Sequence, residues 1–210
     1  EDGIRDRDVT GVQTCALPIS AALQGAATTW TKVATDFAAE PIVAAQAAFR
    51  AGEMWQRDNN FAQAETQFLA AAKLDAQRYG QRALLEAADM QRRQKRNEEA
   101  LASYAQVVTL DAASSRAQEA RVWQGRVLQS MGRLDESIGA FRKAVDGSSK
   151  PRQVMEATNY LAKALILKGD FDNAESALQH AEEFVNKAIA ADAVQADALH
   201  KALDGMSARK

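Results

Sequence analysis

Apolar side chains recur along this chain at helical spacing and with a longer period of about 36 residues. A small residue starts each copy of the pattern, and the copies are separated by steps of 36, 37 and 37 residues: Ala64, Ala100, Ser137 and Ala174. Four residues later stands a large apolar side chain: Phe68, Tyr104, Phe141 or Leu178. Three residues beyond it stands a smaller one: Ala71, Val107, Ala144 or Ala181. This spacing predicts a stripe along one face of a helix, with small positions where a neighbouring helix can approach closely.

A second helical pattern precedes each of these helices and carries a small residue twelve positions earlier: Gly52, Ala88, Gly125 and Ala162. The two patterns are separated by short turns that begin at Asn59, Lys95, Gly132 and Gly169. Glycine and asparagine tolerate the left-handed conformation that ends a helix, so Lys95 departs from the pattern. The sequence therefore predicts four helix–turn–helix repeats, at about 41–76, 77–112, 113–147 and 148–183, which together span 41–183.

These motifs resemble the tetratricopeptide-repeat family over about residues 45–184, and the longer units look like those of bacterial cell-envelope members. The family pairs a small residue with an aromatic in the first helix, as in Gly52 and Trp55. Its second helix begins with an aromatic followed by alanine, as in Phe61/Ala64 and Phe171/Ala174. Leu134/Ser137 and Asn97/Ala100 match less well, and Ala76, Ala112 and Gly147 replace the family's closing proline. The resemblance implies an all-α, right-handed superhelical solenoid of antiparallel helix–turn–helix repeats.

Segments at both ends complete the predicted solenoid. Residues 20–40 fit the second helix of a truncated leading repeat, with Trp30, Val33 and Phe37 expected to face the helix that contains Gly52. Pro41 suits the first turn of the next helix. Residues 184–210 are predicted to form a C-terminal capping helix, because the last repeat of a solenoid needs a cover for its apolar face.

Residues 1–19 follow no helical or strand period, and we predict that this segment is disordered and non-native. Codons chosen for Glu1–Asp6 and Val9–Ile19 spell DNA that resembles the index-carrying adapter of short-read sequencing, and Arg7 and Asp8 fall on its variable index. If the segment is translated adapter, the native N-terminus is missing. Signal peptide, compartment and any upstream catalytic domain then stay open, and the bacterial periplasm or cell envelope and the cytoplasm are both possible.

Charge and cysteine content exclude several classes of function once this segment is set aside. The segment holds four of the 28 acidic residues, two of the 26 basic residues and the single cysteine, Cys15. The remainder carries 24 of each sign and no thiol, which argues against a nucleic-acid binder and leaves no thiolate chemistry. No apolar run approaches the ~20 residues of a membrane span, so no direct membrane insertion is expected in this segment. The sequence does not indicate the oligomeric state.

No motif for catalysis, cofactor binding or metal binding is present. The chain lacks the glycine-rich nucleotide loops, and Ser137 occupies a packing position rather than a nucleophile elbow. His180 and Glu183, spaced i,i+3, could share a metal ion, but a solvated pair is the favoured interpretation. Trp55, Tyr104, Trp123, Phe141 and Phe171 have the spacing of the repeat core and are interpreted as core residues rather than a ligand box. A plain helical bundle with a buried cofactor is opposed by the regular repeat steps.

The resemblance places protein or peptide binding on the concave face, lined by the first helices of the repeats. The candidates in the first two repeats are Gln46, Phe49, Glu53, Arg57, Arg82, Leu85, Asp89, Arg92 and Arg93. Those in the last two are Glu119, Val122, Arg126, Glu156, Asn159 and Lys163. Phe49 and Glu53 stand where chaperone-docking members have lysine and asparagine, which disfavours that function.

Two functions remain after these exclusions. The first is a noncatalytic scaffold that binds peptide segments or partner proteins. The alternative is a docking or regulatory portion of a larger enzyme or transporter truncated at its N-terminus. Within either, the stretch Gln-Arg-Arg-Gln-Lys-Arg at 91–96 is a possible acidic-peptide site, although cations also complement the negative end of a helix.

Overall fold

The computed structural model describes residues 10–191 and 204–205, with side chains from residue 19 onward. Residues 10–191 form α1 (Thr10–Asp36), α2 (Pro41–Arg57), α3 (Phe61–Leu74), α4 (Gly80–Arg93), α5 (Asn97–Leu110), α6 (Ser115–Ser130), α7 (Leu134–Asp146), α8 (Pro151–Lys168) and α9 (Phe171–Ala191). No strand occurs among the described residues, so the predicted all-α class is confirmed. One helix pair lies within each of the ranges 41–76, 77–112 and 113–147, and the fourth pair begins in 148–183 and extends to Ala191.

The chain divides into two compact units, one ending at Gln94 and the other beginning at Lys95. Unit 1 contains α1–α4 and unit 2 contains α5–α9. The division falls between α4 and α5, inside the range 77–112 that the sequence analysis assigned to a single repeat.

A left-handed residue ends the first helix of every pair. The backbone φ is 60° at Asn59, 63° at Lys95, 77° at Gly132 and 82° at Gly169. In three of these turns an amide donates a hydrogen bond of 2.9 Å to the carbonyl five residues earlier: Asn60 to Trp55, Arg133 to Leu128, and Asp170 to Leu165. This bond is the mark of the Schellman ending, which satisfies carbonyls left free at a helix end. The turn residues of the predicted repeats therefore perform the role that the sequence indicates.

Alanine and two aromatic residues build the core of unit 1. Phe49 of α2 and Phe68 of α3 pack with their ring centroids 5.1 Å apart, among buried alanines and Met90. Helix α1 packs against α2, but through small residues: Ala27 is fully buried and Ala34 contacts the core. Trp30 and Phe37, which were expected to face α2, remain 39% and 46% exposed, so neither ring is fully buried. The small alanine side chains allow α1 and α2 to pack closely, while the rings of Trp30 and Phe37 stay partly in solvent.

The core of unit 2 is larger and spans α6 to α9. Phe141, Leu161, Leu165, Leu178 and Val185 belong to one buried cluster. Tyr104 and Phe141 are fully buried, as expected of core aromatics. Trp123 is only partly buried and Phe171 is 65% exposed, so neither is a core residue of the predicted kind. Phe171 is the first residue of α9.

Both ends of the chain differ from the predicted segments. Helix α1 begins at Thr10, so residues 10–19 are helical rather than disordered; each residue added to a helix that already exists gains a backbone hydrogen bond. Residues 1–9 lie outside the described part. Helix α9 continues without a break to Ala191, so no separate helix starts at 184. Most of the predicted capping segment, residues 192–203 and 206–210, also lies outside the described part.

Ser137 occupies the small packing position of the third repeat, so replacing it tests how this position affects stability. Its side chain is fully buried, and among the described residues its Oγ has no hydrogen-bond partner. The corresponding positions of the other repeats carry alanine. Burying an unpaired hydroxyl costs about 1–3 kcal/mol, so we expect Ser137→Ala to raise the free energy of unfolding by about 1 kcal/mol. Urea denaturation followed by circular dichroism measures this change, and a lower midpoint for Ser137→Ala would contradict the expectation.

Candidate peptide-binding cleft

Helices α6 and α8 of unit 2 form a cleft with a volume of about 350 Å³. Its wall combines charged and apolar side chains from both helices: Glu119, Val122, Trp123, Arg126, Arg152 and Glu156. The four residues from α6 follow the i, i+3, i+4, i+7 spacing, so they lie on one face of that helix. Arg152 and Glu156 are spaced i,i+4 on α8 and lie on its matching face.

The beginnings of α6 and α8 are fixed together at one end of the cleft. The Ser114 hydroxyl accepts a hydrogen bond of 3.1 Å from the amide of Ala117, which caps α6. Lys150 Nζ donates to Ser115 Oγ at 2.7 Å, and Gln153 Nε2 donates to the Ser115 carbonyl at 3.2 Å. Pro151 occupies the first turn of α8, where its missing amide costs nothing. The separation of the two helices is therefore set before any ligand binds.

Aromatic rings hold the basic side chains on one side of the cleft. The guanidinium carbon of Arg126 lies 4.0 Å from the centroid of the Trp123 ring and 5.1 Å from that of Tyr160. Tyr160 stacks on the buried Phe141 ring, with centroids 5.6 Å apart and planes at 16°. Lys163 Nζ lies 5.8 Å from the Tyr160 centroid. Each cation–ring contact at a partly exposed site is worth about 0.5–1 kcal/mol, so the rings orient Arg126 while it stays charged.

Two carboxylates line the same cleft. Glu119 is exposed as a whole residue, but burial of its carboxyl group raises its pKa, and the neighbouring charge of Glu156 raises it further. A hydrogen bond from the Trp123 side chain and the positive charge of Arg116 oppose this rise but do not outweigh it. Both causes of the raised pKa disfavour the ionised form of Glu119, so a positive charge nearby would stabilise that form.

The inner-face charges of unit 1 are arranged differently, because each acid there has an arginine partner. Glu53 pairs with Arg50 at 2.7 Å and with Arg82 at 3.5 Å. Asp89 pairs with Arg92 and also with Arg93, the latter at 2.7 Å. Within the described part of unit 2, no ion pair of this kind involves Glu119, Arg126, Arg152 or Glu156. The charges of the cleft in unit 2 are therefore available to a ligand, whereas those of unit 1 are largely compensated internally.

The structure places the predicted concave residues in different surroundings. Glu119, Val122, Arg126 and Glu156 come together in the cleft, while Asn159 and Lys163 lie further along α8. In unit 1, Gln46, Arg57 and Arg82 are exposed, whereas Glu53, Leu85, Asp89 and Arg92 are partly buried. Phe49 and Val122 were predicted to point outward, and both are buried, at 2% and 8% exposure. Phe49 fills the space between Phe68 and Tyr79, since an apolar ring gains more from burial there than from exposure.

The basic stretch at 91–96 is partly neutralised by nearby acids. Arg92 and Arg93 pair with Asp89, and Arg96 pairs with Glu99. Arg93 also lies over the Phe61 ring, 5.3 Å from its centroid. These contacts reduce the positive charge that the stretch could offer to an acidic peptide.

Sequence reasoning missed three residues of this region. Trp123 was assigned to the core because of its repeat spacing, yet it is partly exposed in the cleft. Arg152 and Tyr160 were not singled out, although their spacing from Glu156, four residues on either side, places all three on one face of α8. That spacing was the available signal; the position of Tyr160 between Phe141 and Arg126 depends on packing and could not be read from it.

Comparisons with known proteins agree with this architecture. Residues 122–196 match the family profile described as Tetratricopeptide repeat. The structure is similar to that of MamA, with a TM-score of 0.61 and 19% identity over 86% of this chain and 96% of that one. It is also similar to a putative kinesin light chain of Podosopora anserina with TPR-like repeats, with a TM-score of 0.60 and 15% identity over 83% and 93% of the two chains.

A third similar structure is BtubC of P. vanneervenii, with a TM-score of 0.59 and 16% identity. This chain covers 64% of the BtubC chain, through 69% of its own length. No curated protein matches the sequence. No group of three or more histidine, cysteine, aspartate or glutamate side chains in the described residues is arranged to hold a metal ion. The helices described here include none with the length and apolar character needed to cross a bilayer.

Proposed function

Because the chain carries tetratricopeptide repeats, we propose that it is a noncatalytic scaffold that binds an extended segment of a partner protein in the cleft of unit 2. Proteins with this fold are generally interaction modules, and the repeats expose helix faces that a peptide can contact. The similar solved structures support the fold only, so the location and chemistry of the site rest on this chain's own residues.

The observation that supports this location is the cleft itself. It is concave, it is bounded by two helices whose starts are tied together, and it brings charged side chains beside the partly exposed Trp123. Aromatic and arginine side chains are the residues that most often dominate the energy of protein interfaces. A groove with few deep anchors is expected to bind a short segment with a Kd near 1 µM, or about 8 kcal/mol.

A displayed library of random peptides, selected against the 210-residue protein, tests the proposal. Enriched peptides are then measured by calorimetry against the unchanged protein, Trp123→Ala and Arg152→Ala. We expect each cleft substitution to weaken binding about tenfold, equal to about 1.4 kcal/mol. Phe171→Ala is the matched control, because it removes an exposed aromatic ring of the same unit that does not line the cleft. Peptides that bind all four proteins equally would show that the cleft is not the site.

A further inference from the structure

We infer that the cleft of unit 2 selects a basic side chain, arginine or lysine, whose charge is received by Glu119 and Glu156. The inference rests on the proposed function and adds the chemistry of the bound segment. Glu119 projects from α6 and Glu156 from α8, so a side chain that enters between the helices meets both carboxylates.

The two carboxylates favour a cation at this point of the cleft. Glu119 and Glu156 repel each other, and within the described residues neither forms an ion pair. Two inner-face acids of unit 1, Glu53 and Asp89, are by contrast each contacted by two arginines. A positive group placed between the two glutamates would replace their repulsion with attraction to both.

The apolar part of the cleft suits the stem of such a side chain. Val122, Trp123 and Ala157 provide apolar surface next to the two carboxylates. Lysine and arginine commonly bury their methylene stems on such a surface while the charged end remains with polar partners. A volume of about 350 Å³ can hold one long side chain together with part of the backbone on either side.

The two basic residues of the cleft differ in their availability to a ligand. The Arg126 guanidinium lies against the Trp123 and Tyr160 rings, which cover part of its surface. Arg152 is exposed at the cleft and can contact a backbone carbonyl or an acidic residue beside the basic one. Burial is the first cause of the raised pKa of Glu119, and the charge of Glu156 is the second. A cation bound between the two glutamates would offset this second cause.

The test uses four blocked peptides with the sequence Ala-Leu-Xaa-Leu-Ala, in which Xaa is arginine, lysine, citrulline or glutamate. Citrulline has the shape of arginine without its charge and isolates the electrostatic contribution. Calorimetry with the full chain should show that the arginine and lysine peptides bind at least tenfold more tightly than the other two. Equal binding of the arginine and citrulline peptides would overturn the inference.

Two substitutions then assign the effect to the glutamates. Glu119→Gln and Glu156→Gln should each weaken the arginine peptide about tenfold and leave the citrulline peptide unchanged. Glu175→Gln is the control, because this exposed acid of α9 lies outside the cleft. Glu119→Gln removes a partly buried charge, so the folded chain should be no less stable in urea than the unchanged protein, and loss of binding cannot then reflect unfolding. Unaltered arginine binding in both variants would also overturn the inference.

Failure of the inference and failure of the proposed function give different results. If library peptides still depend on Trp123 and Arg152 but carry no preference for a basic residue, the cleft binds peptides and only the basic-residue assignment is wrong. If those peptides bind Trp123→Ala and Arg152→Ala as tightly as the unchanged protein, the location of the site is wrong as well.

Discussion

Replacing Phe141 with alanine is expected to lower the free energy of unfolding by about 3–5 kcal/mol, the usual cost of removing a fully buried aromatic side chain. Phe141 has no exposed surface and belongs to the large buried cluster of unit 2. Its ring supports Tyr160 by stacking and fills the space above Gly125. Truncation would therefore leave a cavity and also remove the surface on which Tyr160 rests.

Phe171→Ala is the matched control for this prediction. Both phenylalanines belong to the second helix of a repeat, but 65% of Phe171 is exposed. We expect Phe171→Ala to change the free energy of unfolding by no more than about 0.5 kcal/mol, as exposed substitutions usually do. Urea denaturation at a single protein concentration compares the two variants through their midpoints. Similar losses in both variants would show that the large loss in Phe141→Ala does not come from burial.

A second consequence of Phe141→Ala concerns the cleft. Tyr160 lies between Phe141 and Arg126, so removing Phe141 should loosen the contact that orients the guanidinium. Under conditions in which Phe141→Ala remains folded, this variant should therefore bind the selected peptides more weakly than the unchanged protein does. In this way the core of the repeat and the proposed site share one aromatic residue.

The repeat positions explain why so much of the fold could be predicted. Glycine, asparagine and proline act locally, so the turns at Asn59, Gly132 and Gly169 and the helix start at Pro41 were readable from short stretches. The stripe of small and large residues fixed which face of each second helix is buried. These signals need no knowledge of distant contacts, which is why the left-handed residues of the four turns lie at the predicted turn positions.

Burial of the first helices was harder to predict, because it depends on the neighbouring repeat. Phe49 and Val122 were placed on an exposed face by analogy, yet both are buried. Trp123 carries the same kind of spacing as a core residue but lies at the edge of the cleft. Periodicity distinguishes the two sides of a helix; it does not distinguish a core from a groove when both contact a second helix. The ion pairs of Glu53 and Asp89 were likewise not evident from charge pattern alone.

Gly125→Ala is expected to destabilise the chain although alanine is the better helix former. A β-carbon at Gly125 would lie only 2.7 Å from Cζ of the Phe141 ring, and a β-carbon at Gly52 would lie 2.7 Å from Cδ1 of Phe68. Overpacking of this kind costs about 1–3 kcal/mol. The higher helix propensity of alanine offsets about 1 kcal/mol of this cost, so the net loss should be up to about 2 kcal/mol.

Gly139→Ala separates propensity from packing. Gly139 lies within α7, and a β-carbon there would meet nothing within 4 Å. This substitution should raise the free energy of unfolding by about 0.5–1 kcal/mol, because alanine restricts the unfolded chain and favours helix. The difference between the two variants, measured by urea denaturation, isolates the cost of the contact with Phe141. If Gly125→Ala gains as much stability as Gly139→Ala, the ring moves aside without cost and the close approach is not required.

The fourth repeat indicates how the clash at Gly125 can be relieved. At the corresponding positions it carries Ala162 and Leu178, a larger residue on the first helix and a smaller one on the second, and both belong to the same buried cluster as Phe141. Phe141→Leu should therefore cost less in a chain that already has Gly125→Ala than in the unchanged protein. A double-mutant cycle is expected to give a favourable coupling of about 1 kcal/mol, within the range for residues in contact. A coupling near zero would mean that the side-chain sizes at positions 125 and 141 act independently. Packing against residue 141 would then not explain the glycine at position 125.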